Sequence, residues 1–411
     1  MQRVVVIGAG AAGTMAAIFA ATAGAEVVLL ERTRDGGRKI LISGGGRCNV
    51  LPSELDVSRF VTDSSPNTLR KMVRSWPLAE QIAFFEQDVG VPLVEESDSR
   101  KLFPASHKAR DVRDGLLLLA RRRGATTLFD TQVSDVSPNG VGWTVACAAA
   151  PALDADAVII ATGGLSVPMT GSDGTGLRVL ERLGHTVHAT YAALTPLVAS
   201  PPPYASLSGV SLPVTLTATS RTRAATATGG FLFTHIGYSG PAVLDVSHVA
   251  VRSRADRDEP PARVTVRWTT LDGEAWVDRL KPRGTRTVAG ALRAELPDRL
   301  AAALIATVAV APDRVLSELT RDERQRLVEV LVRGPLPWTS DEGYKKAEVT
   351  GGGVSLTEIH PRTMESRRCP GLYLCGEVLD AFGPIGGYNF LWAWATGRAA
   401  GLAAGLAAAR S

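Results

Sequence analysis

The 411-residue chain is poor in the residues that staple or metallate small folds. Its four cysteines, Cys48, Cys147, Cys369 and Cys375, form no Cys-x-x-Cys pair, and its six histidines do not stand at zinc-binding spacing. Reduced, separate thiols are expected, and no metal ligands. No Walker A, His-Glu-x-x-His or calcium-loop pattern occurs, and Gly237-Tyr-Ser-Gly-Pro241 is not a Gly-x-Ser-x-Gly elbow, so NTPase, metallohydrolase and serine-hydrolase chemistry lack a carrier. There is no repeat at a solenoid period. The opening Met1 to Ile7 lacks the apolar core and cleavage site of a secretory signal, and apolar runs are broken by glycine or charge before the roughly 18 residues of a membrane span. The nearest approach, residues 391–409, carries Arg398 and weakly hydrophobic Ala and Gly, and reads as a packed helix. A cytoplasmic protein with no membrane partner is expected.

What is present is ordinary for a soluble globular protein: 45% apolar and 21% charged residues, enough chain for two or three domains, and a net charge of +4. Basic runs such as Arg121-Arg122-Arg123 are short and fall at a helix end. With no basic tail and no interleaved aromatics, no nucleic-acid partner is expected.

Along the chain, residues 3–7 read as a strand, 8–24 as a turn and Ala-rich helix, and 26–31 as a second strand, a βαβ unit that argues for a parallel sheet. Helices are expected over 67–88 and 112–123. Strands over 126–136 and 142–147 are expected to form a small antiparallel layer, and Asp156 to Ala161 is an apolar strand. From about residue 192, prolines punctuate alternating segments such as 210–219 and 262–269, the pattern of antiparallel strands. Residues 271–332 are helical in period, and the last seventy or so return to strand, glycine turn and helix.

Gly8-Ala-Gly-Ala-Ala-Gly13 follows a strand, opens a helix and precedes Glu31 by eighteen positions. Glycines in this context permit a tight turn and close approach of a pyrophosphate to the helix N-terminus, and the acid can take ribose hydroxyls, so a bound dinucleotide is predicted. Three features favour FAD over NAD. In Gly37-Arg-Lys-Ile-Leu-Ile-Ser-Gly-Gly-Gly-Arg-Cys-Asn49, Gly44, Gly45 and Gly46 let backbone amides approach the cofactor, while Arg38, Lys39 and Arg47 are expected to neutralise its phosphates. "DAVIIATGG" ends a strand at Thr162-Gly163-Gly164, where open α/β sheets take ligands. "PGLYLCGEVLD" leads into Gly376-Glu377, an acid placed for a ribityl hydroxyl, and Gly386-Gly387-Tyr388-Asn389 begins a last helix suited to the charge of reduced flavin.

With "TGSDGTG" at 170–176, "FLFTHIGYSGPAVLDVS" at 231–247 and "TGGGVSLTEIHPRTMESRRCPGLYLCGEVLD" at 350–380, these motifs resemble the BaiN/YhiN-type NAD(P)/FAD-dependent oxidoreductases, also called aminoacetone-oxidase-like flavoproteins. The resemblance covers almost the whole chain. It implies an α/β fold: a Rossmann-like FAD-binding domain split between residues 1–190 and 350–411, an inserted β-barrel-like substrate domain at 191–270, a helical subdomain at 271–335, and a return through the β domain at 336–349. The expected cofactor contacts are Gly8, Gly10, Ala11, Ala12, Gly13, Glu31, Arg32, Arg38, Lys39, Ser43, Gly45, Gly46, Arg47, Cys48, Asn49, Val133, Thr162, Gly163, Gly164, Gly376, Glu377, Gly387, Tyr388 and Asn389. Pro384-Ile385 and Phe390-Leu391 depart from the more polar residues frequent among relatives and imply a more apolar pocket.

Cys48 beside Arg47 is a candidate redox partner of the flavin, with a plain packing thiol as the alternative. His235 and Tyr238 are candidate proton donors to substrate, with a satisfied loop histidine as the alternative. The expected activity is hydride transfer between FAD and a small organic substrate, foremost the reduction of a conjugated C=C bond driven by NAD(P)H. With a single Gly-x-Gly-x-x-Gly, either NAD(P)H binds transiently over the isoalloxazine or another donor does the work. Amine oxidation with O2, a folate/FAD-dependent RNA modification and a non-catalytic flavin sensor are the alternatives.

Overall fold

A computed structural model describes residues 2–408 apart from Asp98, Val141, Arg257, Glu259 and Arg283. The chain divides into two units, residues 1–191 with 348–411, and residues 192–347.

Unit 1 is built on a parallel sheet. Five short strands, β1 (Arg3–Ile7), β2 (Glu26–Leu30), β3 (Thr126–Leu128), β4 (Ala157–Ile160) and β5 (Leu372–Leu374), lie in the order β5-β4-β1-β2-β3. Every neighbouring pair is parallel, with Val5 opposite both Val28 and Val158. The central strands are near-continuous apolar runs because both faces of such a sheet are covered, and Val4, Val5, Val6, Val158 and Ile159 are fully buried. Helices α1 (Ala11–Thr22), α2 (Ala109–Arg122) and α3 (Tyr388–Ala408) pack in this unit.

The expected strand over 126–136 is two elements. Thr126–Leu128 joins the parallel sheet beside β2, and Val133–Pro138 starts a separate antiparallel sheet with Trp143–Cys147 and Leu153–Ala155. The expected helix over 67–88 is also divided, into Pro66–Val73 and Leu78–Ala83 with a final wider turn to Val89. Pro77 explains the break: it cannot donate to the preceding turn and disfavours helical backbone at Trp76.

The Ala-rich C-terminal helix packs closely on α1. Gly397, Gly401 and Gly405 recur every four residues and so form one stripe, against which the backbone of α1 lies directly. A Cβ at these positions would fall 2.4 Å from Ala12 O, 2.3 Å from Ala16 O and 2.7 Å from Ala20 O. Weak hydropathy here therefore reflects helix packing by small residues. Among the described residues no helix is long and apolar enough to cross a membrane.

Unit 2 holds a seven-stranded antiparallel sheet, in the order Gly334–Pro335, Arg263–Arg267, Ser211–Thr219, Ala224–Phe233, Gly237–Ser239, Leu197–Val198 and Ser340–Asp341. The β-barrel-like expectation corresponds to this sheet, whose two edge strands are not paired with each other. Helix Pro241–Ala255 packs on it. The helical stretch comprises Gly273–Arg279, Val288–Arg293, Asp298–Thr307 and Arg321–Arg333, the last opened by a Thr320/Glu323 capping box. Trp276, Leu292, Leu300 and Leu327 of these helices share one core with Leu216, Phe231, Val266 and Trp268 of the sheet.

Gly401→Ala is expected to force α1 and α3 apart and to destabilise the fold by about 1–3 kcal/mol, the usual range for overpacking a tight contact. Urea unfolding of the variant checks this; unchanged stability would show that the helices have room to give.

Candidate functional site

Turns at the C-terminal ends of the parallel strands open into a cleft of about 340 Å³ lined wholly by unit 1. At one end stands the β1–α1 turn. Gly8 holds φ +101°, and a Cβ there would lie 2.7 Å from Ala161 O; a Cβ on Gly13 would lie 1.8 Å from Gly8 O. Only glycine permits this approach of turn, helix and β4. Gly10 is the N-cap of α1 and gives it no side-chain cap, and the space a Gly10 Cβ would occupy is open. The first-turn N–H groups are thus left without the usual side-chain acceptor at a cleft lined by Gly10, Ala11 and Ala12.

Glu31 closes the same end and is 7% exposed. Its Oε2 accepts from Ala9 N at 2.8 Å, and Oε1 accepts from Thr33 N at 2.8 Å and Thr33 Oγ1 at 2.7 Å. The carboxylate braces the turn as well as facing the cleft. Val133, Thr162 and Gly163 line it nearby. Arg32 also lines it, but its guanidinium is paired with Asp173 and donates to Gly171 O at 3.3 Å.

The basic residues of the segment 37–49, expected to neutralise phosphates, are paired in the same way. Arg38 Nε donates to Asp35 Oδ1 at 2.7 Å, a hydrogen bond that holds the Asp35 carboxyl below its ordinary range. Arg47 pairs with Glu96 at 2.9 Å and lies over the Phe103 ring, 4.2 Å from its centroid. Lys39 Nζ donates to Glu377 Oε2 at 2.7 Å and Ser166 Oγ at 2.6 Å. Glu377 Oε1 in turn accepts from Ser166 Oγ at 2.5 Å, Thr350 N at 3.0 Å and Thr350 Oγ1 at 2.9 Å. Burial opposes the charge of Glu377, but the Lys39 ammonium and the hydroxyl donors outweigh it and keep the carboxyl below its ordinary range.

Asn49 and Gly387 meet at the far end. With its amide oriented to suit both neighbours, Asn49 donates to Leu51 O at 3.2 Å and accepts from Gly387 N at 3.0 Å. Asn389 holds the preceding turn by exchanging two 2.9 Å bonds with the Gly383 backbone. Ser43, which donates to Ile40 O, and Gly376 complete the predicted residues that line the cleft.

Other expected contacts stand elsewhere. Gly13 packs behind the turn, and the missing Cβ of Gly164 makes room for Thr350. Gly45 and Gly46 lie at the exposed tip of the Ser43–Gly46 turn. Tyr388 is buried against Phe60, its hydroxyl accepting from Asp56 N at 3.3 Å and donating to Glu54 O at 3.4 Å. Cys48 is fully buried at φ +59° and does not line the cleft. Burial pushes its thiol up to about 12, against the weaker lowering by Ser43, so the neighbouring arginine does not make it a thiolate. His235 and Tyr238 belong to unit 2. His235 is exposed in the turn before Gly237–Ser239, whereas Tyr238 is 1% exposed among Phe231, Phe233 and Tyr204, and burial drives its phenol upward. A buried, undissociated phenol of this kind is not a solvent-linked proton donor.

Sequence reasoning missed Thr170 to Asp173, Lys101, Phe103, Glu348 and Phe382, all of which line the cleft together with Ile385 and Phe390, from which a more apolar pocket was expected. The glycine-rich "TGSDGTG" was a usable signal for the first group; an isolated Lys or Glu carries none. Among the described residues no group of three or more His, Cys, Asp or Glu can hold a metal ion.

Residues 2–403 match the family described as HI0933-like protein Rossmann domain. The chain belongs to this family. The HI0933-like chain is 32% identical over 404 residues to "Ribosomal RNA dihydrouridine synthase" of Escherichia coli, covering 95% of each chain. It is 31% identical over 410 residues to "3-dehydro-bile acid delta(4,6)-reductase" of Clostridium scindens, covering 98% of this chain and 99% of that one. The Haemophilus influenzae "Ribosomal RNA dihydrouridine synthase" is 30% identical, with 97% of each chain covered. The HI0933-like chain is accordingly an enzyme of a flavin-dependent oxidoreductase family.

In the native protein, Cys147 and Cys369, both half-buried, are expected to react with iodoacetamide ahead of Cys48 and Cys375, whose thiols are fully buried. Mass spectrometry of timed labelling reads this directly. Cys48 labelling as fast as free cysteine would restore the reactive-thiol reading.

Proposed function

We propose that the protein binds FAD in this cleft and reduces a carbon–carbon double bond conjugated to a carbonyl, with electrons from NAD(P)H. The observation that carries the reading is one cleft running from Gly10 and Glu31 to Glu377 and Gly387, with an uncapped helix N-terminus at its first end. The residues fit the cofactor. The N–H groups of α1 would face its diphosphate, Glu31 retains lone pairs for ribose hydroxyls, and the segment from Gly376 to Asn389 would hold the flavin portion. Bound FAD supplies hydride transfer, the one step for which protein side chains have no equivalent. Phe382, Ile385 and Phe390 give that end apolar walls that exclude water.

The relatives support the choice of acceptor. A delta(4,6)-reductase of a 3-dehydro bile acid and a dihydrouridine synthase share one chemical change, saturation of a C=C bond conjugated to a carbonyl. A small conjugated carbonyl compound is the first reading of the substrate. A uracil base in RNA is the second, favoured by the two dihydrouridine synthases among the relatives.

The FAD-loaded protein is expected to bleach anaerobically with NADH or NADPH and to regain its colour on adding cyclohexenone, a steroid enone, or uridine-containing ribosomal RNA. The acceptor that works separates the two substrate readings. Reoxidation by oxygen alone, with an amine as the only effective donor, would contradict both.

A further inference from the structure

Charged side chains lining the cleft are almost all committed. Arg32 pairs with Asp173, Arg38 with Asp35, Lys39 with Glu377 and Arg47 with Glu96, and Glu31 is bound by backbone and hydroxyl donors. Two are not: the side chains of Lys101 and Glu348 line the cleft without a hydrogen bond or ion pair among the described residues. Glu348 stands two residues before Thr350, the residue that bonds Glu377, and its side chain is exposed to the cleft. Lys101 lies beside the turn that opens α3, its Cε 3.8 Å from where a Gly386 Cβ would be. Glu348 is thus a carboxyl that lines the cleft within electrostatic reach of Lys39, the partner of Glu377, and of Lys101, the neighbour of Gly386.

We propose that Glu348 is the proton donor of the reduction, a role that rests on the reading of the cleft as the site of FAD-dependent C=C reduction. As the π bond breaks, the β carbon gains a C–H bond with the electron pair of a hydride from reduced flavin, and the α carbon gains the Glu348 proton. The substrate is reduced by two electrons and the flavin oxidised by two; Glu348, left as carboxylate, regains a proton from water. A general acid must hold its proton at working pH. Although the side chain is open to the cleft, desolvation by the protein around it raises the Glu348 carboxyl above its ordinary range, against the weaker lowering by Lys39 and Lys101. Glu377, the other carboxylate nearby in sequence terms through Thr350, is neutralised by Lys39.

The test compares FAD-loaded wild type, Glu348→Gln and Glu348→Asp. Flavin midpoint potential is measured from acid to alkaline pH, and oxidation of the dithionite-reduced flavin by cyclohexenone, a steroid enone or ribosomal RNA is followed by stopped flow. Glutamine is isosteric and Glu348 bonds nothing in the fold, so FAD retention is expected to be unchanged. The potentials of wild type and Glu348→Gln should coincide at acid pH and separate at alkaline pH, the wild type being lower because its carboxylate disfavours electron-rich flavin. Oxidation by the acceptor should slow roughly 10²–10⁴-fold in Glu348→Gln and recover in part in Glu348→Asp. Superimposed potential curves overturn the proposal, as does separation of the curves with an unchanged oxidation rate. A wild type whose reduced flavin none of these acceptors oxidises contradicts the reduction itself, and the donor role with it.

Discussion

The half-buried carboxylate of Glu377 is the constraint on which the site depends. It draws in Lys39 from 338 positions earlier in the chain, Ser166 from the turn after β4, and Thr350 from the strand Val349–Val354. A buried carboxylate without such partners is costly, so these segments must meet for the charge to be tolerated. Their meeting places Gly376 and Glu377 at the end of β5, beside the β1–α1 turn, where a parallel sheet offers ligands its strand ends. The two sequence-distant halves of unit 1 are joined here by a charge pair and, behind it, by the glycine stripe of α3 lying on α1.

The same logic of internal pairing runs through the cleft. Arginines and a lysine that look poised for phosphate each hold a carboxylate of their own, so the lining is close to charge-balanced. What remains for an anionic cofactor is backbone: the first turn of α1, left uncapped by Gly10. Cys48 follows from this arrangement as well. With Arg47 turned to Glu96 and Phe103, the thiol beside it is packed inward and desolvated instead of being activated.

Much of the frame was legible in the residues. Arg3 to Ile7, the glycine turn and Glu31 declared the first βαβ unit because their signals are local: an apolar run, glycines at fixed spacing, an acid ending the next strand. The family resemblance tied the two terminal segments to one domain, and the sheet order β5-β4-β1-β2-β3 agrees with it. Thr126–Leu128 was assigned to the wrong sheet, since three residues cannot announce their partner, and its place beside β2 is a matter of topology. Pro77 was a visible signal for the divided helix. The pairing of Arg38 with Asp35, three residues apart, was a local signal left unread, whereas that of Arg47 with Glu96, and the isolation of Glu348, depend on long-range packing that no spacing encodes.

Titration of the apoprotein with FAD at low and high salt tests the central claim most directly. The account predicts one FAD per chain with an affinity that changes little as salt rises, because Arg32, Arg38, Lys39 and Arg47 are already paired with carboxylates and the diphosphate is met by backbone donors. Failure to bind FAD, or a steep loss of affinity with salt of the kind that free arginines and lysines on phosphate produce, would contradict it.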